Sequence, residues 1–521
     1  MERLREARDW FLLHVPAWIA ALCTIFMLCV IPLYFEDAFF NINRCKVELV
    51  RVVMPFFCVG MLGVMTIRRF RREACCPAPY APDGAMALFL LACVVSCAYA
   101  GFTESVLEGT RGRSLGLWLM LCCGGAYYVI GAGKLEGNVL SVLILISAGA
   151  CALLGILNGA GVDPLGFYEE IKAGQEEIFL STIGHFDFFG TYLVMMFGLA
   201  SGICVFGKKA ITRRAAAICS VILALGMAVS RTDSALLGMN LVCLAIMSQS
   251  GNNYVQMARA ALLWSVCFAV LPVARKIAAI SVYKPQFLGL PLVLCETQAA
   301  WILTVFFLIL AMLFMLLYKK GYCAPGRRNL MKAAFIAVLL AAAVLIAVIA
   351  WFTLVDTTAE LGGMTSFLRF DDLWGSARGF VYKRSIRAFR DFSWKEKLFG
   401  CGLGTTQTTL TPYFDNQNAI EVAGGIFNDC HCQPLQMLLT CGICGVLTFV
   451  AFYVSMVTAV LRSMKNDALL HGVFAALIGY IAVMMFNVAQ PILIMTYFSM
   501  CGFGVSRIRY LAKKGGVHHE S

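Results

Sequence analysis

Apolar runs of about 17–25 residues recur from one end of this chain to the other, and no other feature constrains its fold as tightly. Wound as a helix, a run of that length crosses a hydrocarbon core of about 30 Å. Inside lipid every backbone N–H and C=O needs a partner within the protein, so spanning segments are helices or closed barrels. The runs show no two-residue alternation, which excludes the barrel. The spans are predicted at 16–35, 49–66, 85–101, 115–133, 138–158, 183–206, 215–230, 233–249, 258–273, 297–318, 333–354, 433–461, 470–488 and 490–506. Those in 215–249 and 470–506 form closely spaced short pairs, and Pro491 marks a turn or kink in the last pair. The first run is long enough to stay as a span and lacks a small-residue cleavage site, so no cleaved leader is expected. The expected fold is all-α: a polytopic integral membrane protein with about 14 transmembrane helices.

Charged residues make up 14% of the chain, against about 25% in soluble domains. The net charge of +12 comes from short clusters beside spans: Arg3/Arg5/Arg8, Arg68–Arg72, Lys208–Arg214, Lys319–Arg328, Arg462/Lys465 and Arg507–Lys514. With fourteen spans they all fall on one face. The positive-inside rule makes that face cytoplasmic, together with both termini. This distribution argues against nucleic acid as a partner. The acid-rich 159–180 loop (Glu169, Glu170, Glu176, Glu177) lands outside. The 23 cysteines lie mostly within spans, as small hydrophobes, and show no paired metal spacing. Cys45, Cys295, Cys401, Cys430 and Cys432 fall on the outer side, where disulfide pairing stays open.

The chain divides into N-terminal spans (1–180), central spans (181–354), one large extracytoplasmic loop (355–432), and C-terminal spans with a short basic tail (433–521). A loop that long is functional or disordered, and its composition is that of a folded segment. Phe380, Tyr382, Ile386 and Phe389 recur at helical spacing, interleaved with Lys383, Arg384, Arg387 and Arg390. The pattern predicts an amphipathic helix. Its plain reading is an interfacial helix lying on anionic headgroups. Arg378 stands apart, just before that helix, between Trp374 and Gly379. Glycine there permits close backbone approach, and a guanidinium can fork onto a diphosphate as lysine cannot. His431 is the loop's one histidine, at the start of a span and after the turn-rich Phe414–Asn418. A solvated loop histidine is the plain reading. A side chain titrating near neutrality also suits a general base. Cys430, His431 and Cys432 are too tightly spaced to supply three ligands of one tetrahedral metal site.

Two more polar insertions occupy the outer ends of spans. Gly184–Leu193 carries His185 and Asp187, and Ser230–Ser234 carries Arg231 and Asp233. Ionisable groups at membrane depth are costly and mark functional sites. For Arg231 and Asp233 the plain alternative is a local ion pair capping a tight turn. On the predicted topology Asp187, Arg231, Arg378 and His431 share the outer face.

These segments, in order, resemble the O-antigen ligase/polymerase superfamily, polytopic bacterial glycosyltransferases that use polyprenyl-diphosphate-linked glycans. Ser181–Leu193 is similar to the family's Gly-Asn-x-Asn-x-x-Ala-x-Tyr-Leu, and Ser230–Ser234 to the polar element that follows it. Trp374–Tyr382 resembles Trp-Gly-x-x-Arg-Gly-x-x-Trp, and Leu398–Gly402 resembles Leu-x-Gly-x-Gly. His431–Gln436 with Gly442–Gly445 resembles His-Asn-x-x-Leu-Gln and a downstream Gly-Ile-x-Gly. His185, Asp187, Tyr382 and Cys432 depart from the family pattern. The resemblance implies transfer of a glycan from a polyprenyl diphosphate carrier to a hydroxyl on a lipid, glycan or protein acceptor, at the outer face of the bacterial cytoplasmic membrane. His431 would act as base. Arg378, Arg231 and Arg384 would hold the diphosphate, and Asp187, Asp233, Trp374 and Gly379 would support the site. No metal or cofactor is called for, and inversion at C1 is expected. The pattern favours a ligase over a polymerase. A lipid-linked glycan transporter or flippase is the rival, for which broken helices or midplane charges are expected; a receptor or structural role leaves the loop unexplained.

Overall fold

The computed structural model describes residues 2–39, 41–71, 80–110, 112–169, 171, 174–414, 429–465 and 467–517. Arg72, Glu170 and Asp415–Asn418, singled out above, lie outside them. Eleven helices among the described residues are long and apolar enough to cross a bilayer. In chain order, with three shorter apolar helices and two helices of the large loop, they are labelled as follows. The first five are α1 (His14–Leu33), α2 (Ile42–Phe70), α3 (Ala81–Tyr99), α4 (Leu117–Ala132) and α5 (Asn138–Gly159). Next come α6 (Phe186–Phe206), α7 (Ala210–Val229), α8 (Asp233–Gln249), α9 (Tyr254–Ile280), α10 (Ala299–Lys319) and α11 (Arg327–Leu354). The loop contributes α12 (Trp374–Asp391) and α13 (Trp394–Phe399). Last are α14 (Gln433–Ser463), α15 (Ala468–Met484) and α16 (Pro491–Val517). The three shorter apolar helices, α4, α8 and α15, coincide with predicted spans. The chain is an all-α polytopic membrane protein; its only strands among the described residues are the two-residue pair Phe179–Leu180 and Gly184–His185.

Pro491 opens α16 as its first residue, where proline's missing N–H costs nothing. The core forms around α6 and α16, whose apolar windows are 94% and 100% buried. α6 packs closely on α15 because both present small residues. A Cβ at Gly198 would fall 2.4 Å from Ala476 N, and one at Gly202 would fall 2.2 Å from Gly472 N. Lipid gives helices no hydrophobic drive to associate, so close backbone contact across small residues supplies the cohesion. α11 is the opposite case, with no buried residue in its window. Near the start of α2, the fully buried Lys46 donates to Thr182 O at 3.0 Å and to Tyr34 O. It ties the turn after α1 to the Ser181–Gly184 segment.

α14 is not one continuous helix. Gly442 (φ 65°, ψ −167°) breaks it about two and a half turns below its start. The carbonyls released there are taken by the large loop: Cys401 N–H donates to Leu439 O at 3.0 Å and Gly402 N–H to Thr440 O at 2.9 Å. Ser96 Oγ, from α3, also reaches Thr440 O at 2.6 Å. The approach is backbone on backbone. A Cβ at Gly400 would fall 2.3 Å from Thr440 O, and one at Gly442 would fall 2.4 Å from Leu398 O. Two motifs some forty residues apart in sequence are therefore the two sides of one seam.

Candidate active site

α12 carries Arg378 to His431. Its first turn is irregular: Gly375 and Ala377 have φ of 59° and 66°, and Phe380 N–H donates to Asp372 O at 3.1 Å instead of one turn back. Gly379 seats against this turn, where a Cβ would fall 1.9 Å from Asp371 O. Arg378 therefore sits at the entry to the regular helix and within the helical segment, one turn later than its predicted place ahead of it. From there Arg378, Tyr382 and Ser385, spaced as one helix face, look toward the segment that holds His431. The Tyr382 hydroxyl lies 3.0 Å from His431 O and 3.3 Å from Met485 O. Ser385 Oγ donates to Cys430 Sγ at 3.5 Å. The buried face is formed by Phe380, Val381, Ser385 and Ala388, while Ile386 is exposed. The predicted apolar stripe was thus displaced by about one residue, because the helix packs on the chain before α14 and on Leu410, Phe414 and Leu439.

His431 is half-buried, with a left-handed backbone (φ 49°). Its N–H donates to Asp429 Oδ1 at 2.6 Å. Burial, followed by the positive charges of Arg378 and Arg113 and by His185, lowers its imidazole to about 3. Asp429 is buried, and burial raises its carboxyl to about 6 although Arg113 and the N–H groups of His431 and Ala489 favour the anion. Arg378 Nη1 donates to Gly375 O at 2.7 Å, and its Nε is buried with no hydrogen bond among the described residues. A buried guanidinium N–H in that state costs free energy until an acceptor arrives.

The other predicted residues are distributed around this pair. His185 caps α6, its Nδ1 accepting from Asp187 N–H at 3.3 Å, with the Asp187 carboxylate 3.8 Å away. Burial lowers His185, Arg113 and Arg231 add to that, and Asp187 opposes it. Asp233 Oδ1 accepts from Leu290 N–H at 2.7 Å and so caps the short helix Gly289–Glu296. The charges of Arg378 and Asp187 both act on it. Arg231, at φ 60°, does not pair with Asp233. Its guanidinium donates to Glu177 Oε2 (3.2 Å), Glu177 O (2.6 Å) and Gln286 O (3.0 Å). The cavity it lines with Glu177 and Tyr168 measures about 10 Å³, room for one water. Arg384 turns away from His431. It donates to Tyr413 O (3.2 Å) and Phe380 O (3.4 Å), and its guanidinium stacks 3.3 Å from the Phe380 ring centre. Trp374 Nε1 donates to Phe367 O at 2.9 Å, and its ring lies 6.0 Å from that of Tyr382. All five cysteines on the predicted outer side are free thiols.

The structure thus gathers His431, Arg378, His185, Asp187 and Asp233 at one end of the bundle, sets Arg231 behind His185, and leaves Arg384 in the loop's own core. It adds two groups that sequence reasoning missed. Asp429 was passed over as one more loop carboxylate. Arg113 had a readable signal, since it lies in a short loop on the predicted outer face, against the positive-inside rule.

Residues 287–450 match the family model described as O-antigen ligase. The resemblance to the O-antigen ligase/polymerase superfamily therefore holds over that span, about a third of the chain. The span includes Trp374, Arg378, Gly379, Arg384 and His431, and leaves the 181–193 and 230–234 elements outside. Among curated proteins none matches the chain.

Proposed function

We propose that this protein is an O-antigen ligase-like glycosyltransferase, moving a glycan from a polyprenyl diphosphate carrier to an acceptor hydroxyl at the outer face of the cytoplasmic membrane. The observation that carries the reading is the buried Nε of Arg378, without a hydrogen bond among the described residues, near a histidine whose backbone carbonyl and N–H are held by Tyr382 and Asp429. The acceptor oxygen attacks C1 of the donor glycan. The C1–O bond to the diphosphate breaks, its electron pair leaves with the phosphate, and His431 takes the acceptor's proton. Attack opposite the leaving group inverts C1. Arg378 stabilises the charge that grows on the diphosphate.

An imidazole held near 3, chiefly by burial, is a weak base. A diphosphate placed against Arg378 and Arg113 offsets the positive charges that add to that depression, so His431 gains basicity when substrate is present. Arg231 and Arg384 hold protein partners here, so we assign direct diphosphate contact to Arg378 first. The reading takes fourteen spans with both termini cytoplasmic, and on it this end of the bundle faces outward. The break in α14 is filled by loop backbone, where a transporter's broken helix is expected to line a substrate cavity, and this disfavours a flippase.

The test is transfer by full-length protein in proteoliposomes, from a polyprenyl-diphosphate glycan to a supplied acceptor. His431→Ala should lose about 10²–10⁴ in rate, the usual worth of general base catalysis, and Arg378→Ala should lose transfer comparably. Wild-type transfer by either variant, or retention at C1, defeats the proposal. A glycan lengthened on its own carrier, with the acceptor unmodified, would make the protein a polymerase.

A further inference from the structure

A second, larger feature lies at the opposite end of the bundle. α6 runs 21 residues from Phe186, beside the candidate site, to Phe206, which at 1.5 Å per residue is about 30 Å. Beyond its far end a groove of about 970 Å³ opens between α5 and α7, at the upper end of the roughly 300–1,000 Å³ typical of ligand pockets. Its walls are apolar: Leu145, Ile146 and Leu153 from α5 face Ile218 and Ile222 from α7. Its rim is cationic. Lys208, Lys209 and Lys465 line it, all exposed, and among the described residues none of the three ammonium groups has a partner. The neighbouring carboxylate is already committed, because Asp467 is held by Arg507 at 2.6 Å. The rim thus keeps an excess of three positive charges above a slot suited to hydrocarbon.

We infer that this groove binds an anionic glycerophospholipid of the bilayer, with acyl chain between α5 and α7 and phosphate at Lys208, Lys209 and Lys465. Basic pockets between spans recognise acidic headgroups in this way. The apolar walls exclude a free phosphate ion as the preferred occupant, and the uncompensated rim disfavours a zwitterionic lipid. The proposal is independent of the chemistry at His431.

Full-length protein is purified in detergent, given phosphatidylglycerol or phosphatidylcholine, and weighed with its bound lipid by native mass spectrometry. Wild type should retain phosphatidylglycerol and release phosphatidylcholine. Lys208→Gln/Lys209→Gln/Lys465→Gln should retain phosphatidylglycerol about a hundredfold less well, or about fivefold per lysine, as ~1 kcal/mol per basic residue implies. A second variant acts on the slot alone. A Cβ at Gly149, which lines the groove, would meet nothing within 4 Å, so Gly149→Phe fills the slot without crowding α5. It should also lose phosphatidylglycerol, with the rim intact. Equal retention of the two lipids by wild type, or undiminished phosphatidylglycerol in either variant, overturns the inference.

Discussion

Gly442→Ala tests whether the seam between the large loop and α14 holds the site together. Three costs follow from the geometry. The backbone at φ 65°, ψ −167° is a region open essentially to glycine alone, and a side chain there costs about 1–3 kcal/mol. The new Cβ would fall 2.4 Å from Leu398 O, so the backbones must part. Parting weakens the Cys401–Leu439 and Gly402–Thr440 hydrogen bonds, each worth about 0.5–1.5 kcal/mol net. Together these amount to about 3–5 kcal/mol, enough to undo the seam locally. The measurement is denaturant unfolding of the purified full-length protein in mixed micelles, with transfer activity followed in parallel. Gly63→Ala is the control. It lies in α2, and a Cβ there would meet nothing within 4 Å, so it should be neutral or gain up to about 1 kcal/mol. Activity should fall with stability in Gly442→Ala, since the first turn of α14 follows directly on His431. A Gly442→Ala protein within about 1 kcal/mol of the control would refute the reasoning.

Tyr382→Phe removes the hydroxyl beside His431 O and should lower transfer about fivefold, the worth of ~1 kcal/mol, with donor KM little changed; an unaltered rate would mean that this contact does not position the imidazole. In the free protein His431 stays neutral until the pH falls toward 3, so no acidic limb of kcat/KM should come from it near neutral pH. A limb near 6 is expected from Asp429 and should vanish in Asp429→Asn. Arg378→Gln or Arg113→Gln removes a depressing charge, so the His431 limb should climb toward its ordinary 6.5 and residual activity should fail earlier as pH drops; limbs that stay put would show that neither arginine faces the ring. Gly202→Ala forces a Cβ to within 2.2 Å of Gly472 N and should cost about 1–3 kcal/mol of stability, read in the same unfolding assay; a neutral result would argue against close α6–α15 packing.

The membrane helices were legible because lipid imposes a one-dimensional demand, a long enough apolar run, that the sequence meets without reference to neighbours. α12 was legible for a related reason, its helical period. Which face it buries was not, because Ser385 and Ala388 go inside to meet Cys430 and the chain before α14, while Ile386 goes out. His431 and Arg378 stood out by residue type and setting. Their partners did not: Arg113 lies more than three hundred residues from His431, and Glu177, which captures Arg231, lies 54 residues away. Asp233 misled the local reading, since its nearest charge in sequence is Arg231 and its actual role is to cap Gly289–Glu296. The glycines of 398–402 and 442–445 were visible as motifs, but the close backbone approach that requires them exists only once the two segments meet.

That meeting has a consequence for how the protein is made. Leu398–Gly402 leaves the ribosome before Gly442 does, yet the groove it fills exists only after α14 has entered the membrane and broken at Gly442. The loop therefore waits on the helix that follows it. The reactive face is completed only once α14 is in place, so a nascent chain stalled before α14 carries both His431 and Arg378 with no seam to bring them to their working positions.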